Sequence, residues 1–342
     1  MNILITGGAG FLGRGLATAL LQRGQLGGRN IERIMLADLV APQDTALVDD
    51  ERISVSTGDL QAHVPVLMAA GPWDAVFHLA SAVSGECETN FDLGLHANLD
   101  STRALLDACR LQTAEGHAPP LFFFSSSVAV YGSDAAIPLP AVVRDDTLPT
   151  PQSSYGIHKF VCEQLVADYT RKGFIDGRAA RLMTVSVRPG RPNGAASGFL
   201  SGLFREPMAG QRSNCPVSLD TEVAIASPAT TIAGILVVAE ATREAFGGRT
   251  AINLPALTVS VRDMLHAFEA LVGAEPLTLV TCEPDDGIAR IVAAWPSRFE
   301  SQRAPALGLT PDPDFGGVLQ QYVQHHGEAV THPGARARLG LV

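Results

Sequence analysis

The chain has 342 residues, of which 46% are hydrophobic and 18% are charged. This composition supports one large domain or about two domains and excludes a disordered chain. Acidic residues outnumber basic residues by 35 to 25, so the strongly basic face of a nucleic-acid-binding protein is not expected. Only two of the basic residues are lysines, Lys159 and Lys172, and the others are arginines.

The first residues carry no basic segment, and glycines interrupt their apolar run at once, which is not typical of a signal peptide. The sequence contains no run of 18 or more apolar residues, so no membrane span is predicted. The five cysteines lack CxxC spacing, and the nine histidines form no HExxH motif. We therefore expect a cytoplasmic protein with reduced thiols, no metal site and no membrane contact.

Over the first 190 residues, apolar strand-like runs alternate with helical patterns. The predicted strands are Asn2–Thr6, Arg33–Asp38, Arg52–Thr57, Trp73–Ala80, Leu121–Ser125 and Leu182–Arg188. The predicted helices are Phe11–Gln22, Leu93–Leu111 and Tyr155–Lys172. Strands that alternate with helices predict an α/β fold, a doubly wound parallel sheet of the Rossmann type with helices on both faces.

After Pro189 the alternation is lost, and proline and glycine become frequent. The predicted elements are a helix within Val223–Thr242, a strand at Thr250–Leu254, a helix at Ser260–Val272 and a strand at Leu277–Cys282. We predict a Rossmann domain over residues 1–190, joined by about 223–254. Residues 191–222 and 255–342 are predicted to form a smaller, mixed α/β substrate-binding part.

The loop between the first strand and the first helix contains Gly7, Gly10 and Gly13. Glycines at this spacing let the backbone turn tightly and approach a pyrophosphate. The helix that begins at Phe11 and Leu12 presents free N–H groups and a partial positive charge to such an anion. The loop therefore predicts a dinucleotide site.

Acidic residues follow the next two strands. Asp38 ends the second strand, where a carboxylate accepts hydrogen bonds from both adenosine ribose hydroxyls of NAD and repels the 2′-phosphate of NADP. Asp59 and Leu60 follow the third strand, where an acid either meets the adenine amino group or forms an ordinary turn. These positions favour NAD as the cofactor.

The fourth predicted strand ends at Leu79, Ala80 and Ser81, at the edge of the sheet where cofactors lie. Ser81 is the predicted polar contact in that loop. Asn98, a polar residue inside a predicted helix, either bridges to the active-site helix or faces solvent.

Tyr155 and Lys159 lie four residues apart and therefore share one helix face. A free tyrosine has a pKa of about 10, and lowering it to about 7 requires about 4 kcal/mol in favour of the phenolate. A nearby ammonium and the positive nicotinamide ring are expected to supply this, and Lys159 also to hold the nicotinamide ribose. A lysine kept in a lysine-poor chain fits this role.

Three serines, Ser125, Ser126 and Ser127, follow the fifth predicted strand. A serine at the carboxyl end of a strand can donate to a substrate oxygen and orient it, although consecutive serines also occur in ordinary polar loops. A polar loop alone does not explain the Tyr155–Lys159 pair downstream.

With these motifs in order, together with Val130-Tyr131-Gly132 and Arg188-Pro189, the chain resembles the extended short-chain dehydrogenase/reductase (NAD-dependent epimerase/dehydratase) family over nearly its whole length. The resemblance implies that Ser127 is the catalytic serine, Tyr155 the acid/base and Lys159 its partner. It also implies that Asn98 supports the active-site water network and that Pro189 lies at the cofactor. His158 stands where family members usually carry serine.

The resemblance also discriminates among reactions. Dehydratases of the family place an Asp-Glu pair after the catalytic hydroxyl residue, whereas Val128 and Ala129 follow Ser127 here. Residues 222–228 lack the acids and the arginine with which sugar-nucleotide epimerases engage a nucleotide diphosphate. The segments 188–193, 197–199 and 204–207 resemble the branch that oxidises D-erythronate-like four-carbon sugar acids at carbon 2 with NAD.

The prediction is therefore NAD-dependent oxidation of a small sugar acid to its 2-oxo acid. Ser127 and Tyr155 are expected to contact the substrate, with Asn193, Arg205 and Arg298 as further candidates. The alternatives are a nucleotide-sugar 4-epimerase, which shows no net redox change, and a non-catalytic NAD-binding sensor. The resemblance also implies a homodimer through a four-helix bundle, although an intramolecular helix face would look the same in sequence.

Overall fold

The computed structural model describes residues 1–190 and 196–341. Its centre is a seven-stranded parallel sheet, which confirms the predicted fold class. In chain order its strands are Asn2–Thr6 (β1), Arg33–Asp38 (β2), Ile53–Thr57 (β3), Ala75–His78 (β4), Leu121–Ser127 (β5), Asp176–Leu182 (β6) and Ile252–Asn253 (β7). Across the sheet they lie in the order β7-β6-β5-β4-β1-β2-β3. The order reverses between β1 and β4, and doubly wound sheets bind ligands in the crevice at this point.

Helices cover both faces of this sheet because each strand is apolar on both sides. The helices against it are Phe11–Arg23 (α1), Leu60–Ala69 (α2), Ser101–Ala114 (α3), Ser154–Arg171 (α4) and Pro228–Glu240 (α5). Helices α1 and α5 pack on the face that contains Ile5 and Phe123. Helices α2, α3 and α4 pack on the face that contains Leu4 and Phe124. The two faces therefore form two separate cores.

Residues beyond β6 build a third apolar cluster around Phe204, Phe268 and Phe315. Its main helices are Phe199–Met208, Val261–Val272, Asp286–Ala293, Phe315–His326 and Pro333–Leu339. A three-stranded sheet of Thr184–Val185, Glu222–Ala226 and Leu257–Ser260 lies in the same part of the chain. The division into a cofactor domain and a substrate-binding part, with the bounds given above, stays a prediction.

Shorter elements connect these layers. The short strands are Gln25–Leu26, Arg29–Asn30, Val143–Arg144, Ser213–Asn214, Val280–Thr281 and Phe299–Glu300. The short helices are Thr45–Val48, Ser84–Thr89, Phe91–Gly94, Val128–Val130, Arg243–Phe246, Ala274–Leu277, Arg303–Ala306, Ala196–Gly198 and Gly327–Ala329.

The predicted strand at Leu182–Arg188 was wrong in its bounds. The sheet strand is β6, Asp176–Leu182, and only Thr184–Val185 follows as a short strand of the second sheet. The charges of Arg178 and Arg181 are atypical of a central strand, yet both side chains are buried in ion pairs. Burial of a paired charge is permitted because the partner and hydrogen bonds compensate desolvation.

The predicted helix within Val223–Thr242 is confirmed by α5, Pro228–Glu240. A strand that was not predicted, Glu222–Ala226, precedes it. Ser227 caps that helix by accepting a hydrogen bond from the amide of Thr230 at 3.0 Å. A continuous apolar run does not distinguish a buried strand from a buried helix, and the Ser-Pro pair marks the boundary.

The helix predicted at Leu93–Leu111 is divided in the structure. Phe91–Gly94 is helical, Leu95–Asp100 forms a π-helical turn and α3 then runs to Ala114. Such turns are rare and frequently lie at functional sites. The turn contains Asn98, whose side chain is buried.

A buried ion pair fastens α4 to the sheet. Arg181 of β6 donates to Glu163 of α4 through Nε at 2.9 Å and through a terminal nitrogen at 2.7 Å. Ser126 also donates to Glu163, and Arg181 also donates to the hydroxyl of Tyr131. Three elements, α4, β5 and β6, are therefore tied together by one carboxylate.

We predict that Arg181→Met costs about 3–5 kcal/mol of unfolding free energy, because it leaves the Glu163 carboxylate buried without its partner. The double variant Arg181→Met/Glu163→Leu should recover part of that loss. Arg144→Ala, which breaks the exposed pair with Glu300, should cost less than about 1 kcal/mol. Urea unfolding followed by circular dichroism measures all three, and a loss no larger for Arg181→Met than for Arg144→Ala would contradict the prediction.

Candidate active site

The glycine loop and the loop after β4 meet in backbone contact. Gly7 has φ +74°, a conformation that side-chain-bearing residues rarely adopt, and a Cβ there would lie 2.7 Å from the amide nitrogen of Ala80. A Cβ on Gly13 would lie 2.1 Å from the carbonyl oxygen of Gly7. Both glycines are therefore required by packing, whatever binds at the loop.

Gly10 differs from these two because its surroundings are open. A Cβ there would meet only the carbonyl oxygen of Gly7, at 3.2 Å. Gly10 caps α1 without a side chain, and among the described residues no side chain accepts from the first N–H groups of the helix, which begins with Phe11, Leu12 and Gly13. An open, uncapped helix terminus fits the pyrophosphate of a dinucleotide.

Asp38 lies at the end of β2, beside the glycine loop. Its carboxylate accepts hydrogen bonds from the amides of Ala9 at 2.9 Å and Leu39 at 2.7 Å. The two amides fix the carboxylate next to the glycine loop and the start of α1, the cradle for a dinucleotide, while the side chain keeps part of its surface exposed. This placement is compatible with the predicted contact to an adenosine ribose.

Asp59 begins α2. One carboxylate oxygen accepts from the amide of Ala62 at 3.1 Å, and the other lies 2.7 Å from Nε2 of His96. These contacts lower the pKa of Asp59. Asp59 thus caps the helix in which Leu60 is the first residue, and its predicted contact with adenine stays a prediction.

Asn98 holds the loop that follows β4. Its side-chain oxygen accepts from the hydroxyl of Ser81 at 3.0 Å and from the amide of Ala82 at 2.7 Å. Its backbone carbonyl accepts from Thr102 in α3. The structure therefore makes Asn98 an anchor for Ser81 and its neighbours Leu79 and Ala80, and its role in a water network stays a prediction.

The three serines at the end of β5 have different surroundings. Ser125 donates to the carbonyl of His78 at 3.0 Å, and Ser126 donates to Glu163. Ser127 accepts a hydrogen bond from the amide of Ala129 at 3.1 Å and also hydrogen-bonds the side chain of Tyr155. Of the three, Ser127 is the hydroxyl suited to a substrate oxygen.

Tyr155 and Lys159 lie on the face of α4 that covers the end of β5. Nζ of Lys159 donates to the backbone carbonyl of Ser125 at 2.8 Å and lies 5.6 Å from the centre of the Tyr155 ring. Hydrogen bonding with Ser127 and Ser81 lowers the pKa of Tyr155. The structure thus brings Tyr155 together with Ser127, Ser81 and Lys159.

The pKa values differ from the expected ones. Burial outweighs those hydrogen bonds and raises the pKa of Tyr155 to about 12, while it lowers the pKa of Lys159 to about 8. The groups of the chain alone therefore keep the phenol protonated at neutral pH. The expectation that the ammonium of Lys159 and the positive ring of a bound nicotinamide together bring this pKa near 7 stays a prediction.

His158, beside Lys159 in α4, is buried. Its ring packs 6.4 Å from that of Phe91, and no described residue hydrogen-bonds its Nδ1. A Cβ on Gly94 would lie 3.1 Å from the His158 ring. His158 therefore fills the space between α4 and the turn before the π-helix.

Of the predicted substrate residues, Ser127 and Tyr155 are brought together, whereas Arg205 and Arg298 each pair with a carboxylate. Asn193 lies outside the described residues. Arg205 donates to Glu206 at 2.6 Å, and the exposed Arg298 pairs with Glu222 at 2.8 Å. Both guanidinium groups therefore already have a carboxylate partner.

Arg188 is the residue that sequence reasoning did not assign. It precedes Pro189 and is half-buried. Its charge contributes to lowering the pKa of Tyr155, so the two side chains share one electrostatic environment. An arginine directly after an apolar segment that ends near the sheet edge was the available signal, but its neighbourhood depends on the tertiary fold.

Comparison with protein families matches residues 3–223 to the NAD dependent epimerase/dehydratase family. The chain is 47% identical over 335 residues to a D-erythronate dehydrogenase of Cupriavidus necator, covering 96% of this chain and 100% of that protein. It is 38% identical to a D-erythronate dehydrogenase of Haemophilus influenzae, covering 95% and 99% of the two chains.

Among solved structures, the chain resembles one described as a nucleoside-diphosphate-sugar epimerase from Agrobacterium tumefaciens. The two superpose with a TM-score of 0.88 at 36% identity, over 96% of this chain and 95% of the other. No helix of the described residues is both long and apolar enough to cross a membrane.

We predict that Gly10→Ala weakens NAD binding at least about tenfold, because a methyl group then stands in the open cradle, equivalent to a loss of about 1.4 kcal/mol. Its φ of −67° is normal for alanine, so the thermal unfolding midpoint without NAD should stay close to that of the wild type. Gly13→Ala should lower that midpoint as well, since its Cβ overlaps the Gly7 carbonyl. Calorimetric titration with NAD and thermal unfolding separate the two effects. Unchanged affinity in Gly10→Ala would contradict a pyrophosphate site there.

Proposed function

Since the chain belongs to the NAD-dependent epimerase/dehydratase family and is an NAD-dependent oxidoreductase acting on a CH–OH group, we propose that it oxidises D-erythronate, or a closely similar sugar acid, at carbon 2. The product is the 2-oxo acid. The observation that carries the proposal is the full-length similarity to two D-erythronate dehydrogenases, combined with Ser127, Tyr155 and Lys159 at one sheet edge.

In the proposed reaction, the substrate hydroxyl lies between Ser127 and Tyr155. The O–H of Ser127 donates to the substrate oxygen and orients it, and Tyr155 takes the hydroxyl proton. Bound NAD supplies the hydride acceptor and a positive ring that favours the tyrosinate. Lys159, held on the Ser125 carbonyl, keeps an ammonium beside the phenol. These roles rest on the described contacts.

The residues that would hold NAD are those of the cradle. They are Gly7, Gly10, Phe11, Leu12 and Gly13 at the pyrophosphate, Asp38 at the adenosine ribose, Asp59 and Leu60 at the adenine, and Leu79, Ala80, Ser81, Tyr155, Lys159 and Pro189 toward the nicotinamide. The open helix terminus at Gly10 and the carboxylate of Asp38 support this assignment.

A second candidate is epimerisation of a nucleotide sugar, which the likeness to the Agrobacterium tumefaciens structure favours. An epimerase returns the hydride to the sugar, so it forms no net NADH. The two reactions are therefore distinguished by one absorbance measurement.

We also propose a cytoplasmic homodimer. Phe91, in the short helix before the π-helical turn, is 60% exposed. Ile157 and Val161, on α4, are 48% and 38% exposed. Apolar groups on these two neighbouring elements suit a four-helix interface between two copies.

We expect NADH to form when the protein is mixed with NAD and D-erythronate, measured by absorbance at the NADH band. NADP should support a much slower reaction because Asp38 repels its 2′-phosphate. UDP-glucose with NAD is the comparison, followed by chromatography for UDP-galactose. Epimer formation without NADH, together with no turnover of sugar acids, would contradict the proposal.

Tyr155→Phe should lower kcat by about 10²–10⁴-fold, because it removes the proton acceptor but keeps the ring. Lys159→Arg should also reduce kcat strongly, since the larger planar guanidinium does not fit the buried contact with Ser125. NAD affinity, measured by titration, should change little in Tyr155→Phe. A Tyr155→Phe enzyme that keeps most of its turnover would exclude the mechanism.

A further inference from the structure

Arg188 is a half-buried cation that no described carboxylate pairs with. The described residues within reach of its side chain offer one hydrogen bond, from a terminal nitrogen to the hydroxyl of Ser197 at 3.2 Å. A guanidinium has five N–H donors in a planar fork, so most of its capacity is unused. A charge that is removed from water without a partner is unfavourable. The environment of Arg188 therefore lacks an anion.

A second arginine, Arg205, adds to the positive charge around Arg188. Arg205 donates to the backbone carbonyl of Arg188 at 2.8 Å. The pKa of Arg188 is lowered by the burial of Arg188 itself and, to a smaller extent, by the charge of Arg205. Glu206 compensates Arg205, in a pair whose side chains are only 11% and 13% exposed. The net charge of Arg188, Arg205 and Glu206 together is therefore positive, and the unpaired positive charge is that of Arg188.

The backbone around Arg188 is held in place. Its amide donates to the hydroxyl of Ser201 at 3.0 Å, and Ser201 is 1% exposed. Together with the Arg205 contact, this fixes both the amide and the carbonyl of the same residue. The guanidinium is therefore carried on a rigid support, as a binding group requires.

The charges of Arg188 and Tyr155 each affect the pKa of the other, so the two side chains share one electrostatic environment. An anionic group on the guanidinium would consequently lie within electrostatic range of the hydroxyl that accepts the substrate proton. In a 2-hydroxy acid, the carboxylate and the reacting carbinol carbon are directly bonded. A short acid anchored at Arg188 thus presents its C2 hydroxyl, rather than a more distant one, to Tyr155.

We propose that Arg188 binds the substrate carboxylate through its guanidinium fork and thereby selects the hydroxyl next to the acid group for oxidation. The proposal rests on the proposed function, since it assigns the carboxylate subsite of that reaction. It replaces Arg205 and Arg298 in this role because both of those are already paired with a carboxylate.

The test compares the wild type with Arg188→Gln and Arg188→Lys, using D-erythronate and the uncharged polyol erythritol. Loss of one partner of a desolvated charge pair corresponds to at least about a 30-fold effect. We expect the KM for D-erythronate to rise at least that much in Arg188→Gln and less in Arg188→Lys, with smaller changes in kcat. The preference for acid over polyol should shrink, because only the acid uses the guanidinium.

The matched control is Arg262→Gln, which removes an exposed arginine paired with Asp220 and should change neither constant. NAD affinity and the thermal midpoint of Arg188→Gln show that the cofactor site and the fold persist. If the wild type turns over D-erythronate and Arg188→Gln keeps its KM within about threefold of the wild type, the carboxylate assignment is wrong while the proposed function stands.

A direct binding measurement separates the two proposals in the opposite direction. Calorimetric titration of D-erythronate into the protein with NADH does not require turnover. Binding that disappears in Arg188→Gln, without any turnover by the wild type, supports the subsite and refutes the proposed reaction. Absence of both binding and turnover refutes both. Tighter binding of UDP-glucose than of D-erythronate, lost in Arg188→Gln, would assign Arg188 to a phosphate and overturn the carboxylate.

Discussion

Helix α4 is attached to the carboxyl end of β5 by a row of polar contacts, and the candidate active site depends on this attachment. Lys159 donates to the carbonyl of Ser125, and Glu163, one turn later, accepts from the hydroxyl of Ser126. Both contacts are buried, where hydrogen bonds are electrostatically stronger than in water. Ser125 and Ser126 are both used in these contacts. The next residue of β5, Ser127, hydrogen-bonds Tyr155, which lies in the first turn of α4. The position of the reactive pair thus follows from contacts that do not themselves react.

The pKa shifts of the buried groups at the site all favour the neutral form of the group. Burial raises the pKa of Tyr155 to about 12, lowers that of Lys159 to about 8, and lowers that of Arg188. His78, buried between Thr6 and Thr102, has its pKa lowered to about 3 and stays neutral. Each shift disfavours an isolated charge. Arg188 has no described carboxylate partner, whereas the charge of Glu163 acts on Lys159. A carboxylate bound at Arg188 would offset the charge that lowers the pKa of Tyr155, so binding of an acid opposes formation of the tyrosinate, which Lys159 and a bound nicotinamide would have to favour.

Local patterns were sufficient for the features of short sequence range. The glycine loop, the strand ends that carry Asp38 and Ser127, and the helical spacing of Tyr155 and Lys159 are properties of single segments, and the structure has them where they were predicted. Strand β6 was misplaced because Arg181 is made acceptable inside the protein by Glu163, 18 residues away. Likewise, the free charge of Arg188 becomes visible only when Arg205 is seen to be paired with Glu206. Which charges remain uncompensated is decided by tertiary contacts, and spacing along the chain does not contain that information.

The segment after Thr221 bears on the size of the substrate. Residues Val223, Ala224, Ile225 and Ala226 form a strand between Thr184–Val185 and Leu257–Ser260, and each is at most 5% exposed. Their side chains are apolar and pack into the cores of the C-terminal part. The acid that precedes them, Glu222, is already paired with Arg298 at the surface. A nucleotide diphosphate would find no cation on this strand, whereas a short acid needs only one, and the charge of Arg188 acts on Tyr155. The distribution of charge therefore favours a substrate whose single anionic group is close to the reacting carbon.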